Sequence, residues 1–144
     1  ATDTGLYVGQ LKGLGDINVI NVGDTLNVPS DMFVVTKEYY RANKILLKRF
    51  LKAYRDSAEW MIKKPKEAAK IAIKRSINGR NEAVNLAIIK LRNISAQSET
   101  TRRRGLGHFD VDLLQKGADT FKSLGLIEAE LDMNALIKTD LIPN

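Results

Sequence analysis

The chain has 144 residues, 44% of them hydrophobic and 28% charged, with a net charge of +6 and no cysteine. That is the composition of one ordinary globular domain, too apolar for a disordered chain, and the absence of cysteine excludes disulfides and thiolate metal sites. No apolar run approaches the roughly 20 residues that span a bilayer, and the N-terminus Ala1-Thr2-Asp3-Thr4 is neither basic nor apolar, so no signal peptide is visible.

In chain order, Leu6, Val8, Leu11 and Leu14 among three glycines predict a short helix over 5–14. Ile17 to Val22, Ile-Asn-Val-Ile-Asn-Val, is short and rich in β-branched residues and reads as a strand. Gly23-Asp24 breaks it, and Val28-Pro29 keeps the next stretch extended. Met32 to Thr36 predicts a second strand, apolar on both faces as a strand within a sheet would be. Two such strands form no stable sheet by themselves, and the second is too apolar for an open edge. Both therefore ask for partner strands, from another chain or from further sequence of the same protein.

From Lys37 onward the pattern is helical. Tyr39, Tyr40 and Ala42 predict a short helix, with Asn43 placed to cap the next one. In that helix Leu46, Phe50, Ala53, Tyr54, Ser57, Ala58 and Met61 form one stripe, expected to face the core. Trp60 is read as a buried packing residue of the same helix, with a loss of roughly 3–5 kcal/mol expected on truncation to alanine. Pro65 suits the first turn of a following helix lined by Ala68, Ala69, Ala72 and Ile73. Asn81 caps another, with Val84, Ala87, Ile88 and Leu91 inward. Residues 95–107 are polar and glycine-containing and read as an irregular loop exposing Arg102-Arg103-Arg104. Asp110 caps a helix carrying Val111, Leu114, Ala118 and Phe121, and Gly125 sits where a left-handed residue ends it. A last short helix is expected over 134–137.

Chemistry-bearing patterns are sparse. The sequence holds no HExxH, GxSxG, Walker A or GxGxxG motif, and its carboxylates are scattered. His108, the single histidine, precedes a helix cap, where a structural role is the ordinary one. Nothing argues for catalysis, a metal site or a cofactor. The basic residues are spread along helices as a solvated face would place them, and no interleaved basic and aromatic surface suggests nucleic acid.

Val28 to Ile73 carries a family resemblance. Pro29-Ser30, the apolar run Met32 to Thr36, Phe50-Leu51-Lys52-Ala53-Tyr54, Ala58-Glu59-Trp60 and Lys64-Pro65-Lys66-Glu67-Ala68-Ala69 resemble the SsuA/THI5-like or NMT1 family of solute-binding proteins. Lys64 stands where that pattern usually has asparagine, which removes a capping residue. His108-Phe109-Asp110, Leu124-Gly125-Leu126 and Thr139-Asp140-Leu141-Ile142-Pro143 fit the same pattern.

The resemblance implies an α/β, periplasmic-binding-protein type II-like fold, of which this chain is a helix-rich C-terminal portion with two short strands. Residues 1–22 would end the second lobe, 23–31 would form the crossover and hinge, and 32–144 would complete the first lobe. It further implies the extracytoplasmic component of an ABC importer, not an enzyme, that captures a small organic solute of the sulfonate, nitrate, pyrimidine or aromatic-acid class between its lobes. Its partners would be the transporter permease and the missing N-terminal half of the same protein. Its place would be periplasmic or otherwise extracytoplasmic, at the membrane through the transporter. Thr2, Asp3, Thr4, Asn27 and Ser30 are the candidate ligand contacts and Gly23 and Pro29 the candidate hinge. The same short polar residues also suit helix caps and turns. A small basic nucleic-acid-binding protein and a thiamine-pyrimidine synthase-like enzyme are the competing readings.

Overall fold

The computed structural model describes residues 31–77 and 81–142. The expected helix at 5–14 and strand at 17–22 lie outside them. Among the described residues the architecture is helical: α1 (Lys37–Ala42), α2 (Lys44–Lys63), α3 (Pro65–Arg75), α4 (Glu82–Ser95), α5 (Glu99–Arg104), α6 (Val111–Ser123) and α7 (Met133–Leu136).

Local signals set most of the helix ends. The Thr36 hydroxyl accepts from the Tyr39 N–H and starts α1. Pro65 opens α3, and Lys64 before it makes no side-chain cap. Asn81 and Asp110 accept from the Val84 and Leu113 N–H groups at 2.8 and 3.0 Å. Gly125 adopts φ 69°, the left-handed conformation that closes α6.

Several expectations are corrected. Residues 32–36 form no strand: among the described residues no strand is present to supply a ladder partner, and the segment runs as irregular chain into α1. Asn43 does not cap α2. Its amide reaches back to the Tyr39 carbonyl, satisfying the end of α1. The segment read as an irregular loop over 95–107 contains α5, where Ser98 and Thr101 form a reciprocal capping box. Arg102, Arg103 and Arg104 are exposed, as expected, but they sit on the last turn of that helix.

The core is centred on α3 and α4, which make the most extensive helix pairing. Ala68, Ala69 and Ile89 are buried together, with Met61 and Leu86 packed against them. Ala69 is completely buried, so its single methyl lets the two helices approach closely. The deepest face of α4 is not the expected Val84, Ala87, Ile88 and Leu91, all half-buried, but Asn85, Ile89 and Asn93. The two asparagines tolerate burial because each donates a hydrogen bond, Asn85 to the Asn81 carbonyl and Asn93 to the Met61 carbonyl at 3.2 Å. The second bond ties α4 to α2. In α6, Leu114, Gly117 and Ala118 are buried, whereas Phe121 is exposed.

Helix α2 is covered along a different arc from the expected one. Leu47, Leu51, Ala58, Met61 and Ile62 are half-buried, but Leu46, Phe50 and Tyr54 remain 53, 47 and 57% exposed. Trp60 is 38% exposed, which corrects its assignment to the core. At about 100° per residue, Trp60, Ala53, Leu46, Ser57, Phe50 and Tyr54 share an arc of roughly 120°. The apolar part of α2 is thus wider than its neighbours cover.

Candidate functional site

Thr2, Asp3, Thr4, Asn27 and Ser30, and the hinge candidates Gly23 and Pro29, lie outside the described residues, which begin at the next position, Asp31. The described structure therefore brings none of them together. It shows what stands immediately beyond them.

Asp31 pairs with Arg92 of α4 at 3.6 Å, between exposed groups whose attraction water largely screens. Two residues on, Phe33 points its ring edge-on at Phe50 and Tyr54, with centroids at 5.1 and 4.8 Å and interplanar angles of 86 and 85°. Edge-to-face contact sets the positive ring rim against a negative face. It holds the segment after Asp31 on α2, although all three rings remain about half exposed. Met32, Val34 and Val35 extend this apolar surface.

A polar cluster joins the two ends of the described chain. The Tyr40 hydroxyl donates to Asp140 Oδ1 at 2.5 Å, and Lys44 Nζ donates to Asp140 Oδ2 at 3.1 Å. The Lys44 ammonium also lies 4.9 Å from the Tyr40 ring centre. These bonds fasten the C-terminal segment, with buried Leu141, to the α1–α2 elbow. The two donors hold the Asp140 carboxyl below its ordinary value, and the carboxylate raises both Tyr40 and Lys44. Every member is thereby kept further in its usual neutral-pH state. A general acid or base works best with a pKa near the operating pH, so the cluster is built to fasten. It escaped the sequence reading because its members lie about a hundred positions apart.

His108 is half-buried. Burial, and then the nearby charges of Arg104 and Arg55, push its pKa down, which favours the neutral ring. Among the described residues no group of three or more His, Asp or Glu side chains is arranged to hold a metal ion, and no helix is long and apolar enough to cross a membrane.

Two open depressions lie among the described residues. One, of about 170 Å³, lies between the end of α2 and α5, with Lys63 and Arg102 on its walls. The other, broader one runs beside α6, where Asp119, Glu130 and Asp132 outnumber Lys122. Neither has the enclosed apolar form of an organic-ligand pocket.

A family model described as NMT1/THI5 like matches residues 3–68. The match takes in the candidate ligand and hinge positions other than Thr2, crosses α1 and α2 and ends on Ala68 in the first turn of α3. The chain thus carries an NMT1/THI5-like segment over somewhat less than half its length, in agreement with the resemblance read from Val28 to Ile73. That family is mostly one of solute-binding proteins, although it also includes a synthase. No curated protein and no solved structure matches the chain.

Proposed function

We propose that this chain is part of an extracytoplasmic solute-binding protein that delivers a small organic solute to an ABC-type importer. The observation that carries this reading is the NMT1/THI5-like match over residues 3–68. An exposed apolar surface around α2 supports it. Met32, Phe33, Val34 and Val35, together with the outer arc of α2, expose an apolar surface next to the segment the family resemblance places at the lobe boundary. Such a surface is what a helix layer presents when a sheet is meant to lie on it.

In this reading the solute lies between two lobes, touching Thr2, Asp3, Thr4, Asn27 and Ser30, with Gly23 and Pro29 in the hinge. Short side chains there let the solute approach backbone N–H groups closely, and hinge closure makes the form that the permease recognises. Asp3 opposes an anion bound directly beside it, while the net charge of +6 favours an anion's approach.

Calorimetry on the full-length protein, with a panel of sulfonates, carboxylates and pyrimidines, tests the proposal. A binder should emerge, and Asp3→Ala or Ser30→Ala should weaken it about tenfold, or 1.4 kcal/mol. A binder that neither substitution weakens overturns the site. Turnover of a bound pyrimidine, in place of its release unchanged, overturns the transport reading.

A further inference from the structure

We propose that the depression between the last turn of α2 and α5 is an oxyanion site, taking a phosphate- or sulfate-like group either free in solution or carried on a lipid headgroup. This site is separate from the solute site above and does not rest on it.

The three consecutive arginines of α5 have three different roles, and the helix geometry separates them. Arg103 reaches back to Glu99 at 3.4 Å. Arg104 lies close enough to His108 to depress its protonation. Arg102 and Lys63 of α2 both line the depression, and neither has a carboxylate partner among the described residues. The one carboxylate on the walls, Glu59, is engaged by Arg55 at 3.2 Å. The walls therefore carry two cations, Lys63 and Arg102, beside one carboxylate that Arg55 already engages, around a space of about 170 Å³ that suits a compact anion better than a larger organic solute.

The local fold sets the two ends of α5. The Ser98–Thr101 capping box fixes the start of α5, and Gly105, with φ 95°, turns the chain out of the helix directly beside the depression. A guanidinium presents a planar fork of donors that matches a tetrahedral oxyanion, and an ammonium lining the same depression supplies a second point of charge. A purely structural account also exists. Both α2 and α5 end here, and cations are favoured at helix C-termini. That account makes Lys63 and Arg102 contributors to stability and predicts no ligand.

The two accounts separate in a titration of the whole chain, followed by backbone amide NMR at constant ionic strength, with inorganic phosphate and sulfate against chloride. Sedimentation with vesicles of phosphatidylglycerol in phosphatidylcholine, against phosphatidylcholine alone, forms the second arm. Saturable shifts confined to residues 59–63 and 97–106 are expected. Arg102→Gln and Lys63→Gln should each lower affinity about fivefold, the worth of one exposed charge pair, and Glu59→Gln should raise it. Arg102→Lys, which keeps the charge and the helix, should retain part of the binding. Lys90→Gln on α4 removes the same charge elsewhere and should change nothing. Response to inorganic phosphate identifies a free anion, and response to anionic vesicles alone identifies a headgroup. No saturable response in either arm, or an equal loss from Lys90→Gln, overturns the proposal and leaves the cations to the helix ends.

Discussion

The α3–α4 pair and the outer arc of α2 are both apolar in sequence, yet they end in opposite environments. Ala68, Ala69 and Ile89 are buried against one another, whereas Leu46, Phe50 and Tyr54, on a longer helix with a more regular stripe, are about half exposed. The difference lies in what each face meets. An alanine surface lets a second helix close on α3, and a buried asparagine then bonds α4 to the end of α2. The outer arc of α2 meets the ring of Phe33 from the preceding segment and stays about half exposed. Periodicity reports which face would gain from cover, but a face becomes core only when another surface of matching shape reaches it.

Substitutions can break or sharpen that contrast. Ile89→Ala should cost about 2–5 kcal/mol, the range for emptying a buried aliphatic site, measured as the shift of the urea midpoint. An unchanged midpoint would show that α3 and α4 do not hold the fold. Trp60→Ala should cost well below the roughly 3–5 kcal/mol of a fully buried tryptophan, because more than a third of it is already in water. Leu46→Ser, on the exposed arc, should stay within about 0.5 kcal/mol of the parent chain. A loss as large as that of Ile89→Ala would mean that the arc is covered in solution.

The smallest effect is on pH dependence. His108 is held below the ordinary imidazole value, by burial first and then by Arg104 and Arg55. The unfolded chain therefore takes up this proton before the folded one does. Stability should fall as pH drops below about 6.5 and level off below the folded value. His108→Gln should flatten that slope in thermal melts, and a slope unchanged by the substitution would show that another group carries it. The Asp140 contribution lies in a separate window. Its folded pKa is depressed by Tyr40 and Lys44, so that stability is present above the ordinary carboxylate value and lost as pH falls through the lower one.

Features that depend on a few adjacent residues were legible. Asn81, Asp110, Pro65 and Gly125 act at the helix ends where the sequence placed them, since capping involves atoms three or four positions apart. Asn43 was misassigned because an asparagine between two helices serves the end of one as readily as the start of the other. Helix α5 was missed because Ser98 and Thr101 make a capping box in which a threonine hydroxyl stands in for the usual Glu or Gln, and the helix they start has no apolar stripe. The candidate site rests only on a resemblance, and its residues lie outside the described ones. Pro29-Ser30 and the Phe50-to-Ala69 motifs point to the same family as the match over residues 3–68, but they are packing signatures and name no ligand.

The sequence by itself determined where the helices from Asn81 and Asp110 begin, the wide apolar face of α2, the exposure of the arginine run and the likeness of the first half of the chain to the NMT1/THI5-like family. Each follows from local hydrogen bonding, side-chain periodicity or a contiguous motif. Only the tertiary structure decided which arc of α2 is covered, that Asn85 and Asn93 belong to the buried face of α4, and that Asp140 joins Tyr40 and Lys44. It also decided that Arg102 and Lys63 face one depression. These depend on surfaces and charges brought together from distant positions, and no local pattern encodes such a meeting.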